Sequence, residues 1–286
     1  MLRMTPRALV NLGLLIAVLG AGAALFYEPD PVKDENHAVI TVPGAMLEEI
    51  EIHRPPNAPI LLKREASQWA MAAPVRARLD ETALGRLLDL TRIEASARLP
   101  DADADLIRYG LDKPWARVRF ESQTLEFGTT NPITQELYVR TGQGIYTIPA
   151  RQAGGVPSTP AKLLAHRMLG ANDVPIRFVL PGFSLRHDGT RWQLDPADPG
   201  LSQDDLVRWV DQWRLASSLI TQPGESTSAA QATVELRDGR KLEFSVKART
   251  PDLVLHRADE GLDYHLPARM SELLLTSPVA TALERH

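Results

Sequence analysis

Residues 146–151 read YTIPAR, and residues 264–269 read YHLPAR, 118 positions further on with two substitutions. The pair decides the fold, because it closes a much longer match of the chain to itself. LKREASQW (62–69) falls on LRHDGTRW (185–192) at an offset of 123 without a gap. LDETALGRLLDLTRIEAS (79–96) falls on LSQDDLVRWVDQWRLASS (201–218) at an offset of 122, pairing Leu84 with Leu206, Arg86 with Arg208, Asp89 with Asp211 and Arg92 with Arg214. ARVRFESQTLEF (116–127) meets ATVELRDGRKLEF (232–244), LYVR (137–140) meets LVLH (253–256), and the two PAR endings follow. Collinear order kept over a hundred residues means internal duplication, with copy one over 39–156, a connecting segment over 157–173 and copy two over 174–286.

Periodicity assigns the elements of each copy. EIEIHR, ILLKR and QWAMA are short alternating or apolar runs bounded by Pro, Asn and Ser, which reads as strands. A helix follows, capped by Asp80 in copy one and by Ser202 with Asp205 three residues on in copy two. Its apolar positions, Leu84, Leu87 and Leu88 or Leu206, Trp209, Val210 and Trp213, share one face, while Arg86, Asp89, Arg92 and their counterparts form a solvated one. RVRFE, TLEFG, LYVRT and IYTIP then read as a four-stranded meander, whose copy-two version turns at Asp238-Gly239. The expected fold class is α+β: two tandem homologous domains with antiparallel sheets. PSTPAKLLAHRMLGANDVP between them predicts a helix over 161–169 ending at Gly170, and the C-terminal MSELLLTSP looks like the same element in copy two.

The N-terminus reads differently. Residues 8–27 carry no charge, and twenty residues of helix at 1.5 Å each span roughly the 30 Å hydrocarbon core of a bilayer. Arg3 and Arg7 flank one end and Glu28 and Asp30 the other, so the expected topology is a single pass, residues 1–28 holding a cytoplasmic N-terminus and anchor, 29–38 a linker, and the rest on the far side of the membrane. A cleaved signal peptide, with AGA at 21–23 as the processing site, is the alternative.

Net charge is −4, and beyond residue 27 there are 30 basic against 36 acidic side chains, which excludes a general nucleic-acid binder. There is no cysteine, so disulfides, thiolate nucleophiles and Cys-ligated metals are excluded. The seven histidines (37, 53, 166, 187, 256, 265, 286) match no zinc spacing; His256 and His265 fall on adjacent strands and read as ordinary strand surface. DADADLIRYGLDKP (101–114) begins like a calcium loop, but its sixth position is Leu106 and its twelfth Asp112, so Asp103 or Asp105 is expected to cap a single helical turn that ends at Gly110. No phosphate-binding glycine loop or nucleophile elbow is present. No catalytic residue, cofactor or metal is assigned. The candidate interaction residues are those where the copies differ: Asp101, Asp103 and Asp105 in the first, and Trp209 and Trp213 in the second, as core or as an aromatic patch for a partner.

RYGLDKP (108–114), followed by ARVRF…LEFG and LYVR…IYTIP, resembles the bacterial family known as domain of unknown function 4340, over 69–149 and, without the Tyr-Gly-Leu-Asp element, over 176–267. The tandem arrangement behind one anchor looks like the proteobacterial members. The resemblance implies an envelope protein, in some bacteria associated with ABC-transporter components, and transfers no catalytic residue. The expected function is a non-enzymatic, membrane-anchored periplasmic interaction module accessory to an ABC-type transport or envelope complex, with a membrane-protein partner. The alternative is a periplasmic protein holding a small ligand between the two repeats. A hydrolase using Asp101, Asp103 or Asp105 comes third.

Overall fold

The computed structural model describes residues 37–40, 46–99, 105–226 and 229–279. The expected anchor (8–27), most of the linker, Asp101 and Asp103 lie outside the described residues. Among the described residues no helix is long and apolar enough to cross a membrane.

Copy one supplies β1 (His37–Ala38), β2 (Glu49–His53), β3 (Ile60–Glu65), β4 (Gln68–Ala73), β5 (Ala77–Arg78), α1 (Glu81–Leu88), β6 (Glu94–Ala95), β7 (Ala97–Leu99), the single turn α2 (Leu106–Tyr109), β8 (Ala116–Phe120), β9 (Gln123–Thr130), β10 (Glu136–Thr141) and β11 (Gly144–Pro149). Nine of these strands form one antiparallel sheet in the order β5-β4-β3-β2-β8-β9-β10-β11-β7, and β1 pairs with β6 beside it. Copy two repeats the plan with β12 (Pro175–Leu180), β13 (Phe183–His187), β14 (Trp192–Asp195), α3 (Gln203–Leu215), β15 (Ile220–Pro223), β16 (Ala232–Leu236), β17 (Lys241–Ala248), β18 (Asp252–Arg257), β19 (Leu262–Pro267) and α4 (Met270–Leu275). Its eight-stranded sheet runs β14-β13-β12-β16-β17-β18-β19-β15. The duplication is therefore visible in matching strand orders. The protein is mostly β with few helices, two β-rich domains around antiparallel sheets.

The two longer helices form where the sequence caps them. The Asp80 carboxylate accepts the Ala83 N–H at 2.8 Å, and Ser202 with Asp205 makes a complete capping box. Leu87 is buried beneath α1, and Leu206, Trp209, Val210 and Trp213 beneath α3. The two indoles meet Phe178 at ring-centroid distances of 5.1 and 5.7 Å, and Trp213 meets Phe244 at 5.5 Å. Each fully buried apolar side chain of this kind contributes about 1.5–3 kcal/mol. The expected helix over 161–169 is replaced by one 3₁₀ turn, Pro160–Leu163. Beyond it the chain is extended, because its backbone groups pair with both copies instead of with one another.

Ladder registers refine the repeat. Val139 lies opposite Tyr146, as Leu255 lies opposite Tyr264. On its other side, however, Val139 faces Phe127, whereas Leu255 faces Val246 and Phe244 faces Arg257. The second meander is thus slipped by two residues against the sequence match. An even slip keeps every side chain on its face, and this one sets Arg257 in the core-facing row with Leu253 and Leu255, where it is 1% exposed.

Candidate functional site

A network of charged side chains spans the junction between the copies, and the connector builds it. Asp80 N–H donates to the Leu163 carbonyl (2.8 Å) and Ala165 N–H to the Arg78 carbonyl (3.0 Å), while on the other side Ser218 N–H donates to the His166 carbonyl (2.8 Å). One extended segment is therefore stitched to both halves. Leu163, Leu164, Met168 and Leu169 are buried within a single core that runs through both copies.

Five polar side chains close the junction. Arg257 spans the carboxylate of Asp259 with two bonds of 2.8 Å, donates to the Met168 carbonyl at 2.6 Å, and lies 3.4 Å from Glu260. Glu260 accepts from Arg78 of copy one and from the Tyr264 hydroxyl. Arg78 also donates to the carbonyls of Arg167 (2.8 Å) and Met168 (3.2 Å). Burial opposes the Arg78 charge, but the hydrogen bond and charge of Glu260 outweigh it and raise its pKa. Tyr264 is pushed above the ordinary phenol value, by burial first and then by the Glu260 carboxylate. Asp259 is lowered: burial works against its charge, and the Arg257 hydrogen bonds overcome it. Two guanidinium groups thus face two carboxylates, with Arg257 and Glu260 buried and Arg78 and Asp259 partly open to water.

Beside this network a cleft of about 360 Å³ opens, lined among others by Arg78, Glu81, Thr82, His166, Arg167 and Ser217, so polar groups of both copies and the connector do converge. His166 Nδ1 stands 3.4 Å from Ser218 Oγ, which is 2.6 Å from Thr221 Oγ1. Both hydroxyls are buried and bond to the connector carbonyls of His166 and Ala165, and among the described residues no carboxylate bonds His166 to orient it.

The residues singled out from sequence do not gather here. Asp105 stands before α2 but makes no side-chain capping bond, its carboxylate turning to Arg108 at 3.7 Å, while Asp103, the other expected cap, lies outside the described residues; Gly110 ends the turn in the left-handed region at φ +65°. Trp209 and Trp213 are core residues and present no patch: their indole N–H groups donate to the carbonyls of Thr276 and Leu274, both at 3.0 Å. A third reading also changes. His256 is 3% exposed, not strand surface, with Nδ1 at 2.8 Å from Asp263, whose other oxygen takes Lys247 at 2.6 Å. Gly224 passes against Asp263, where a Cβ would stand 2.2 Å from the carboxyl carbon, whereas in copy one apolar Leu106, Tyr109 and Leu111 pack over Ile145. Sequence reasoning missed the cluster and the junction for one reason: Arg78 and Glu260 are 182 positions apart, and neither carries a local motif. Among the described residues no three His, Asp or Glu side chains meet to hold a metal ion.

A family model described as domain of unknown function (DUF4340) matches residues 69–236, from β4 through the connector to β16. No curated protein matches the chain, and no solved structure does.

Proposed function

The chain belongs to the DUF4340 family, and on that footing we propose that it is a non-enzymatic interaction module of the bacterial envelope, its two repeats acting as one rigid platform for a membrane-protein partner. The observation that carries the reading is the buried Arg78–Glu260–Arg257 network across the repeat junction. Domains joined by small polar interfaces move relative to one another by default, and proteins that clasp ligands by closure depend on that motion. Here a shared apolar core, a connector bonded on both sides and buried ion pairs oppose a hinge. Exposed Leu215, Leu219 and Ile220, beside edge strand β15, give the platform an apolar contact surface next to the junction. The apolar stretch at 8–27 supports placing the platform at the inner membrane, and the resemblance supports an ABC-type complex as its setting.

Photo-crosslinking residues placed at 215, 219 and 220 in intact cells test the proposal. The expected result is one reproducible adduct with a membrane protein, lost when the same residue is placed on the far side at 191. No membrane-protein adduct from any of the three positions would overturn it. The second reading, a small ligand between the repeats, is favoured by the polar junction cleft. A thermal-shift screen of polar metabolites tests that reading separately, since a ligand of the folded state raises the melting temperature.

A further inference from the structure

The fold repeats a groove as well as a core. In copy one it lies between α1 and the chain that follows PAR, encloses about 320 Å³, and is lined by Ala83, Arg86, Gly154, Gly155, Ser158 and Lys162 above apolar Val156, Pro157 and Leu163. In copy two a groove between α3 and the chain after the second PAR is lined by Asp205, Arg208, Trp209, Glu272 and Thr276 among others. The helix match pairs Ala83 with Asp205 and Arg86 with Arg208, and continuing the PAR match pairs Gly154 with Glu272 and Ser158 with Thr276.

The two grooves differ in charge at two matched positions. In copy two Asp205 holds Arg208 at 3.0 Å, and Glu272 adds a second carboxylate. In copy one Ala83 and Gly154 replace both acids. No carboxylate lines the groove, and neither Arg86 nor Lys162 joins an ion pair among the described residues. Arg86 makes one long bond, 3.5 Å to the Thr82 carbonyl. The opposite wall is fixed close by: a Cβ on Gly155 would stand 2.1 Å from the Arg86 carbonyl oxygen, so only glycine lets the chain pass there. Arg54, donating to the carbonyls of Val156 and Pro157 at 3.3 and 3.4 Å, brings a third cation behind the same loop. In a protein of net charge −4, this is a locally uncompensated positive site.

We propose that the copy-one groove binds a phosphate-bearing ligand, whether a soluble phosphomonoester or an anionic phospholipid headgroup. A guanidinium, an ammonium and a hydroxyl facing one space suit a tetrahedral anion, and the apolar floor suits the body attached to it. The volume falls at the lower end of small-molecule sites, about 300–1,000 Å³. Copy two keeps a smaller groove, about 120 Å³, and cancels its charge.

The test uses the full chain in a zwitterionic detergent, titrated calorimetrically with glycerol 3-phosphate, and the full chain reconstituted for a flotation assay against vesicles of phosphatidylglycerol or phosphatidylcholine. Expected is saturable binding in one arm, glycerol 3-phosphate for a soluble ligand or phosphatidylglycerol alone for a headgroup. Arg86→Gln and Lys162→Gln should each weaken it by about tenfold or more, the loss of one charge-assisted hydrogen bond. Ala83→Asp, which rebuilds the copy-two ion pair without removing a cation, should weaken it as much, and Arg208→Gln should leave it unchanged. Circular dichroism confirms that each variant folds. Absence of saturable binding in both arms, or binding indifferent to Arg86→Gln and Ala83→Asp, would overturn the proposal.

Discussion

Replacing Glu260 by alanine tests how the two repeats are joined. The side chain is 8% exposed and serves Arg78, Arg257 and the Tyr264 hydroxyl together. Breaking a buried ion pair by removing one partner costs about 3–5 kcal/mol, because the surviving charge stays desolvated. Two features place the cost at the low end. Arg257 keeps both bonds to Asp259, and Arg78 keeps two backbone carbonyls while its side chain is 32% exposed, so water reaches part of it. The expected loss is about 3 kcal/mol, which at 2–4 °C per kcal/mol lowers the melting temperature by roughly 6–12 °C. The assay is urea unfolding followed by far-ultraviolet circular dichroism and by tryptophan fluorescence. The wild-type traces should coincide. In Glu260→Ala they should separate, because Trp192, Trp209 and Trp213 weight the fluorescence toward copy two. The double replacement Arg78→Met with Glu260→Leu should regain much of the loss, since an apolar pair removes both desolvation costs at once. A loss below about 0.5 kcal/mol with coincident traces would refute the argument that this network joins the repeats.

Trp213→Ala removes a side chain that is 0% exposed and bonded to the Leu274 carbonyl, and should cost about 3–5 kcal/mol in the same assay. Asp80→Ala deletes the α1 cap and should cost about 1 kcal/mol, and Asp80→Asn should restore most of it. Gly110→Ala should be destabilising, because φ is +65° and the new Cβ would stand 2.4 Å from Thr129 Cγ2; thermal melting measures it. The pH dependence follows from Asp259, whose folded pKa is depressed by Arg257. Its contribution is present above the unfolded value, about 3.9, and is lost as pH falls through the folded one. Tyr264 has the opposite sign: its raised folded pKa gives stability that is complete below the unfolded value, about 10, and disappears as pH rises toward the folded one. Melting temperatures of wild type, Asp259→Asn and Tyr264→Phe across pH 3–5 and pH 9–11 check both arms, and the variants should show the flatter profiles in their own window.

The two copies, the succession of strands, helix and meander along each, and the caps of α1 and α3 were legible in the sequence because each rests on local information: a period of two or 3.6, a cap three residues from its donor, a turn at Asp238-Gly239. Arg214–Asp211 was legible in the same way, as i, i+3 neighbours on the solvated helix face, whereas Arg208 pairs with the capping residue Asp205 rather than with Asp211. The tryptophans of α3 show where that information stops. Periodicity set them on the apolar face, but only Phe178, Phe244 and the carbonyls of 274 and 276 decide that the face is filled by the protein itself. The connector shows it again, since a helix-forming composition gave way to an extended path once hydrogen-bond partners stood on both sides.

The sequence by itself determined that this protein is a doubled unit of antiparallel strands and a helix, read as α+β, because duplication and periodicity survive in one dimension; that strands dominate it only the structure shows. The tertiary structure alone decided that the doubling makes one body, and that one of two matched grooves carries unpaired positive charge. Both depend on charges far apart in sequence meeting in space, and the strength of a charge is set by the water and the partners around it.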